Sequence, residues 1–415
     1  MDRRLAARPQ RPARQRIVNR KLHRVLSLDD FERAARQHLP KPIFGYIAGA
    51  VENGTTLREN RSVFDEIGFI PRNVTDVSQR STALSLFGHE YSAPFGIAPM
   101  GISALSAYRG DLVQAGAARA ANVPMMMSGS SLIRMEEIAE RCPETWFQAY
   151  LPGEPARISA LISRVADSGF KTLVVTVDSQ ILANREHNIR AGFSTPLRPS
   201  LSLLWEGVTH PRWLIGTALR TLLRHGMPHF ENNYAQRGAP ILARNVARDF
   251  GGRDHLTWSH VHQVRQQWRG RLIIKGVMCA EDALLARDNG ADGIVVSNHG
   301  GRQLDSTVSP LRVLPGIVAA VNGAMPVMID SGFRRGTDVL KALALGAAFV
   351  FIGRPFNYAA AIAGEAGVRH AIDLLSSEVH RNMGMLGLNR LCDISPEKLM
   401  AIGPLPLPPG TRSIA

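Results

Sequence analysis

Eight short apolar runs, each closing on a small or polar residue and each followed by a helix-like stretch, set the strongest limit on how this chain folds. They are Phe95–Pro99, Met125–Ser128, Trp146–Tyr150, Leu173–Asp178, Leu272–Lys275, Ile294–Asn298, Val327–Asp330 and Phe349–Gly353. Unbroken Val, Ile and Leu without alternation is the pattern of strands buried on both faces, and the helices between them make right-handed parallel crossovers. Eight such units predict an α/β fold of the (β/α)8 TIM-barrel type, since an open doubly wound sheet more often has about five or six strands.

One spacing breaks the rhythm. Most strand starts lie roughly 20 to 35 residues apart, but roughly 90 residues separate the fourth and fifth runs. A crossover helix is expected at Leu256–Trp268, and the rest, 191–255, is an insertion of a length that is usually functional or disordered. It carries Trp205, Trp213, several leucines, and Arg198, Arg212, Arg220 and Arg224, against only Glu206 before Glu231. Two readings stand: a segment lying in a membrane interface, or a helical lid packed on the barrel mouth. Upstream, an early Asp pair marks a helix over Ser27–Leu39, then LPKPIFGYIAGA leads into a polar connecting region up to about Ala93. The division expected is a disordered basic tail at 1–24, one barrel domain at 25–400 that includes the N-terminal helical segment and the insertion, and a C-terminal tail at 401–415.

Charge narrows the partners. Lys and Arg number 49 against 35 Asp and Glu, a net +14. The first 24 residues hold eight Arg and one Lys against Asp2, or +8 of that total, so the folded body has a mild excess and no nucleic-acid footprint. The tail lacks an apolar core, so Arg3-Arg4 is no secretion signal. Cys142, Cys279 and Cys392 are odd in number and far apart, which argues against a disulfide framework or a zinc site and fits a reducing cytoplasm. No run of about eighteen uninterrupted apolar residues exists to span a membrane.

Barrel enzymes build their sites from the C-terminal ends of strands, and here those ends are polar. Strand four ends in Thr176 and Asp178, strand five in Lys275, strand six in Ser297, Asn298 and His299, strand seven in Asp330, and strand eight in Gly353-Arg354. In VVSNHGGRQLD, residues 295–305, a Gly-Gly turn sets His299 beside Arg302: a general base for neutral pH next to a planar fork suited to a carboxylate. DSGFRRG at 330–336 and Gly353-Arg354 follow strands seven and eight, where barrels commonly bind a phosphate.

These segments, together with IAPMG, FQAY, TVD followed by NRE, IIKG and FIGRP in that order, resemble the FMN-dependent 2-hydroxy acid dehydrogenase/oxidase family over about Leu39–Ile394. The basic insertion with THPRW and RHGMP is most similar to its membrane-associated (S)-mandelate and L-lactate dehydrogenase branch. The resemblance implies FMN as cofactor, with His299 as the base and Asp178 stabilising its imidazolium. It implies Arg302 and Arg185 on the substrate carboxylate, Tyr46 and Tyr150 bonding carboxylate or hydroxyl, and Lys275 beside the flavin N1/O2 edge. Pro99, Met100, Gly101, Ser128, Gln148, Thr176 and Ser297 would line the ring or ribityl chain. Asp330, Gly332, Arg334, Gly353 and Arg354 would hold ribityl and phosphate. No metal enters this scheme.

Two departures matter. Ser130 replaces the tryptophan of the glycolate oxidases, which reshapes the side-chain pocket away from glycolate. Gly101 replaces the alanine of the oxidases, as in the membrane dehydrogenases, which shifts the acceptor from O2 toward a quinone or other respiratory carrier. With no heme domain ahead of the barrel, a flavocytochrome arrangement is not expected. The resemblance also implies a homotetramer, peripheral on the inner face of the cytoplasmic membrane. The expectation is oxidation of an L-lactate- or (S)-mandelate-type acid to the 2-oxo acid. Its rivals are a soluble oxidase making H2O2, an FMN-barrel isomerase, and a non-catalytic basic binding module.

Overall fold

The structure is a computed structural model that describes residues 22–193, 201–243 and 252–402. The basic arm before residue 22, Arg198 and the tail beyond residue 402 lie outside the described residues.

All eight apolar runs form strands: β1 (Phe95–Ile97), β2 (Met126–Ser128), β3 (Trp146–Ala149), β4 (Thr172–Thr176), β5 (Arg271–Val277), β6 (Gly293–Val296), β7 (Val327–Ile329) and β8 (Phe349–Ile352). They pair in parallel in the order β1-β8-β7-β6-β5-β4-β3-β2, and a parallel bridge from Ile97 to Met125 brings the two ends of the sheet together. This is the (β/α)8 barrel. Every residue of β1 through β4 and of β6 through β8 is buried, as strands sandwiched between lumen and helices must be. The crossover helix expected at Leu256–Trp268 spans Trp258–Gln267.

Ahead of the barrel, Ser27 caps the helix Leu28–His38, and Asp30 accepts a bond from the Ser27 amide at 2.9 Å, a reciprocal capping box. The helix Lys41–Ala48 follows and carries Tyr46 to the barrel mouth. The connecting region is less featureless than its polarity suggests. It folds the hairpin Leu84–Leu86/His89–Tyr91, whose Leu86 and Tyr91 join Met126, Trp146, Val174, Ile273, Val295, Met328, Phe349 and Phe351 in one buried cluster. Phe87 meets Trp146 edge-on at 6.0 Å, and Tyr91 meets Phe349 at 5.6 Å. The hairpin therefore stoppers the N-terminal end of the barrel.

The insertion divides into two. Residues 201–225 form helical pieces, Leu201–Thr209, Pro211–Trp213, a π-helical stretch Leu214–Leu219, and Arg220–His225. Polar anchors hold them to the body: Trp213 Nε1 donates to the Leu105 carbonyl at 2.7 Å, Glu206 accepts from the Lys41 amide at 2.9 Å, and Arg220 lies 3.7 Å over the Tyr108 ring. Their large apolar side chains point outward, Leu201, Leu204, Trp205, Val208, Ile215 and Leu223 all being exposed. In residues 228–243, by contrast, Phe230 and Ile241 are buried and face the barrel mouth. The two halves of the segment thus differ: one turns large apolar side chains outward, and the other lends two to the cavity wall.

Candidate active site

A cavity of about 270 Å3 opens at the C-terminal end of the strands. Its wall brings together Tyr46, Pro99, Met100, Gly101, Tyr150, Thr176, Arg185, Lys275, His299, Arg302, Asp330, Gly332, Arg334, Gly353 and Arg354. Asp178, Ser128, Gln148 and Ser297 stand just behind that wall. Asp178 touches His299, Ser128 Oγ donates to Gln148 Oε1 at 3.3 Å, and Ser297 Oγ accepts from both Lys275 Nζ at 2.7 Å and the His299 amide at 3.1 Å.

His299 follows β6 in the left-handed backbone region, φ 57°, held by Ser297 on one side and by the Gly300 amide bonded to Ser331 Oγ on the other. Its Nδ1 lies 2.8 Å from Asp178 Oδ1, and its Nε2 lies 3.5 Å from the Tyr150 hydroxyl. Burial pulls the imidazole below its ordinary value, with Lys275 and Arg185 adding to that and Asp178 opposing it. Burial acts in the other direction on Asp178, but His299, Lys275 and Arg185 outweigh it and hold the carboxyl below the usual range. The pair therefore rests as neutral histidine and ionised aspartate, with Nδ1–H donating to Asp178 and Nε2 free to take a proton. Tyr150 is pushed up to about 12, chiefly by burial and then by Asp178, so its phenol stays a donor.

Two arginines converge beside this pair. Arg302 Nη1 donates to the carbonyls of Tyr46 and Gly49 at 2.6 and 2.9 Å, while its Nη2 is buried without a partner among the described residues. Burial, then Arg185, pull this guanidinium down to about 9: a cation held at a loss until an anion reaches it. Lys275 ends the regular part of β5, where the register slips between Lys275 and Val277. Gly276, at φ 102°, makes that bulge, and a Cβ there would sit 2.7 Å from Asp178. The ammonium pairs with Asp330 at 2.9 Å. Burial opposes its charge, but Asp330 and Asp178 prevail and raise it above the ordinary lysine value.

At the β7 and β8 ends, Ser331 and Gly332 turn through φ 82° and 88°, and a Cβ on Gly332 would lie 1.9 Å from the Asn60 carbonyl oxygen, so only glycine fits. Arg334 is buried there, approaching Asp29 and Glu32 at 3.6 and 3.7 Å, and Arg354 donates to the Ile47 and Gly49 carbonyls at 2.9 and 3.0 Å. FMN fits these residues. Gln148 Nε2 and Thr176 Oγ1 are buried donors with no partner among the described residues, and Thr176 shares the cavity wall with the Lys275 cation and the arginine pair.

Sequence reasoning gave no role to Asn60, Gln303 or Arg253. Asn60 and Asn298 exchange amide bonds at 2.9 and 2.8 Å, clasping the His299 turn to the helix Thr55–Ser62. Gln303 bridges Arg185 and Asp178. Arg253, at the end of the insertion, is buried with its guanidinium 5.5 Å over the Tyr150 ring. Asn60, Gln303 and Arg253 do not sit at strand ends, where the polar residues stand out in the sequence.

The chain is 34% identical over 386 residues to (S)-mandelate dehydrogenase of Pseudomonas putida, covering 91% of this chain and 95% of the relative. It is 38% identical to L-lactate dehydrogenase of Caulobacter sp. (strain K31), covering 89% and 97%, and 38% identical to 4-hydroxymandelate oxidase of Amycolatopsis orientalis, covering 87% and 94%. Among solved structures, that of a monotopic membrane protein, (S)-mandelate dehydrogenase, superposes with a TM-score of 0.83 at 33% identity, covering 91% of this chain and 99% of that one. The sequence profile described as FMN-dependent dehydrogenase matches residues 35–401, and the chain belongs to that FMN-dependent family of oxidoreductases.

Proposed function

We propose that this protein oxidises (S)-2-hydroxy acids with an apolar side chain to 2-oxo acids and hands the electrons to a quinone at a membrane surface. The observation that carries the reading is the pairing of a neutral His299, its Nε2 open, with the partnerless Arg302 Nη2 on the same wall.

In this reading Arg302 and Arg185 seat the substrate carboxylate, and Tyr46 and Tyr150 donate to its carboxylate or hydroxyl. His299 Nε2 takes the proton as the alcohol becomes a carbonyl, and Asp178, already ionised, stabilises the imidazolium that forms. Bound FMN supplies the two-electron acceptor for this oxidation. Gln148, Thr176, Ser128, Ser297, Pro99, Met100 and Gly101 would hold its ring and ribityl chain, Lys275 its N1/O2 edge, and Asp330, Gly332, Arg334, Gly353 and Arg354 its ribityl and phosphate groups.

Ile102, Phe193, Phe230 and Ile241 line the same cavity as the arginines and favour a mandelate-like side chain over the methyl of lactate. The quinone reading is supported by Gly101, as in the membrane dehydrogenases, and by the outward apolar face of residues 201–225, which suits an interface-lying anchor. No helix among the described residues is long and apolar enough to cross a membrane.

The test is anaerobic bleaching of the flavin by a panel of (S)-2-hydroxy acids, followed by reoxidation with a quinone or O2. Aromatic acids should bleach it with kcat/KM at least about tenfold above lactate, and quinone should reoxidise it faster than O2. Equal reoxidation by O2 would make the protein an oxidase, as the Amycolatopsis relative is named; absence of bleaching by every acid would reject the chemistry.

A further inference from the structure

Gln303 lies on the cavity wall, one residue beyond Arg302. Its side chain reaches from the β6 end to two points on the segment that follows β4. Oε1 accepts a bond from Arg185 Nη2, and Nε2 donates to the backbone oxygen of Asp178 at 3.0 Å. The orientation of the amide is settled by its partners, because a guanidinium only donates and a carbonyl only accepts. Arg185 Nε donates in addition to the Arg302 carbonyl at 3.1 Å. Two nitrogens of the Arg185 fork are therefore fixed on the 302–303 turn, and Nη1 has no bond to the described residues.

Arg185 needs such a fixture. It ends the segment after β4, in which Ile181 and Leu182 are exposed. Past Asp178 that segment reaches the body through few backbone and amide bonds, from Gln180 Nε2 to the Leu256 carbonyl at 2.9 Å and from the Glu52 amide to the Asn184 carbonyl at 3.3 Å. A long arginine on such a segment is mobile unless its fork is held. A carboxylate would hold it and cancel its charge; an apolar side chain would leave the charge and lose the hold. An amide does both, and its second end ties the fork to the residue that orients His299.

We propose that Gln303 is a positioning residue that sets the affinity of this site for carboxylates: it holds Arg185 in bonding geometry without neutralising it, and couples that geometry to the Asp178–His299 pair. This inference rests on the 2-hydroxy acid reading, in which Arg185 meets the substrate carboxylate.

The experiment uses the flavin-loaded protein and three variants, Gln303→Met, Gln303→Glu and Gln303→Asn. Binding of an aromatic 2-oxo acid and of its neutral amide is read from the change in the flavin visible spectrum, alongside kcat, KM and the pH profile. For Gln303→Met the 2-oxo acid should bind about tenfold or more weaker while the amide changes less than about threefold, and KM should rise more than kcat falls. Gln303→Glu keeps the size and the bond to Arg185 but pairs its charge, so acid affinity should fall at least as far. Its added negative charge beside Asp178 should also move the acid limb of kcat/KM upward. Equal weakening of acid and amide, or unchanged acid affinity, in whichever of the three retain flavin would overturn the proposal. The two failures are separable: a wild-type protein that no hydroxy acid bleaches rejects the chemistry, whereas its acid-over-amide preference still reports on Gln303.

Discussion

At the N-terminal end of the barrel, Leu86, Tyr91, Trp146 and Phe349 fill the lumen, and none of that cluster's buried side-chain polar atoms is left unpaired. At the C-terminal end, Gln148 Nε2, Thr176 Oγ1, Asp178 Oδ2 and Arg302 Nη2 are all buried without partners among the described residues. The same eight strands supply both ends, so the contrast comes from which residues occupy their first and last positions. Close packing without orphaned groups stabilises the fold; buried groups waiting for a partner store affinity for a ligand. One end carries the stability of the barrel and the other carries its chemistry.

The largest expected effect tests the chemical end. His299→Gln should lower turnover by about 10³-fold or more while flavin content and unfolding midpoint stay close to wild type, since no core contact is lost. The wild-type protein should in turn lose kcat/KM on acidification through a value below the ordinary histidine pKa. The imidazole must be neutral to accept a proton, and burial keeps it neutral to lower pH than usual. A flavin-free or unfolded His299→Gln variant would erase the distinction between the two ends.

Next in size is a change at the stoppered end. Trp146 is 2% exposed and packs against Phe87 and Phe351. Replacing it with alanine should destabilise the protein by ~3–5 kcal/mol in denaturant titration, with kcat per folded molecule nearly unchanged. A loss of kcat comparable to that of the His299 variant would show that the two ends are not separable.

The smallest catalytic effect belongs to the insertion. Replacing Trp205 and Leu223 together with aspartate should abolish sedimentation with anionic vesicles, yet change kcat/KM with a soluble acceptor by less than about twofold. Unaltered vesicle binding would reject the outward apolar face as the anchor.

The barrel was legible because strands buried on both faces must be continuously apolar, and each of the eight runs has that form. Most of the candidate cluster was legible for the same reason: once strand ends are located, His299, Lys275 and Asp330 are placed by topology alone. The hairpin was not. Leu84–Leu86 and His89–Tyr91 are three residues each, too short for alternation to register, and they are stabilised by the lumen they plug rather than by their own pattern. Phe230 and Ile241 were hidden in a different way, since apolar side chains scattered along both halves of the insertion give no sign of which half turns inward. Gln303 stands within its motif, but its two bonds depend on where the segment after β4 brings Arg185 and Asp178.

The left-handed backbone at His299 has a consequence for any attempt to harden this protein. Glycine and asparagine rest in that conformation with less strain than histidine does. A screen that rewards heat resistance alone would favour replacing the proposed base, and on that proposal its winners would be sturdy, yellow and inert. At this position durability and activity are maximised by different amino acids.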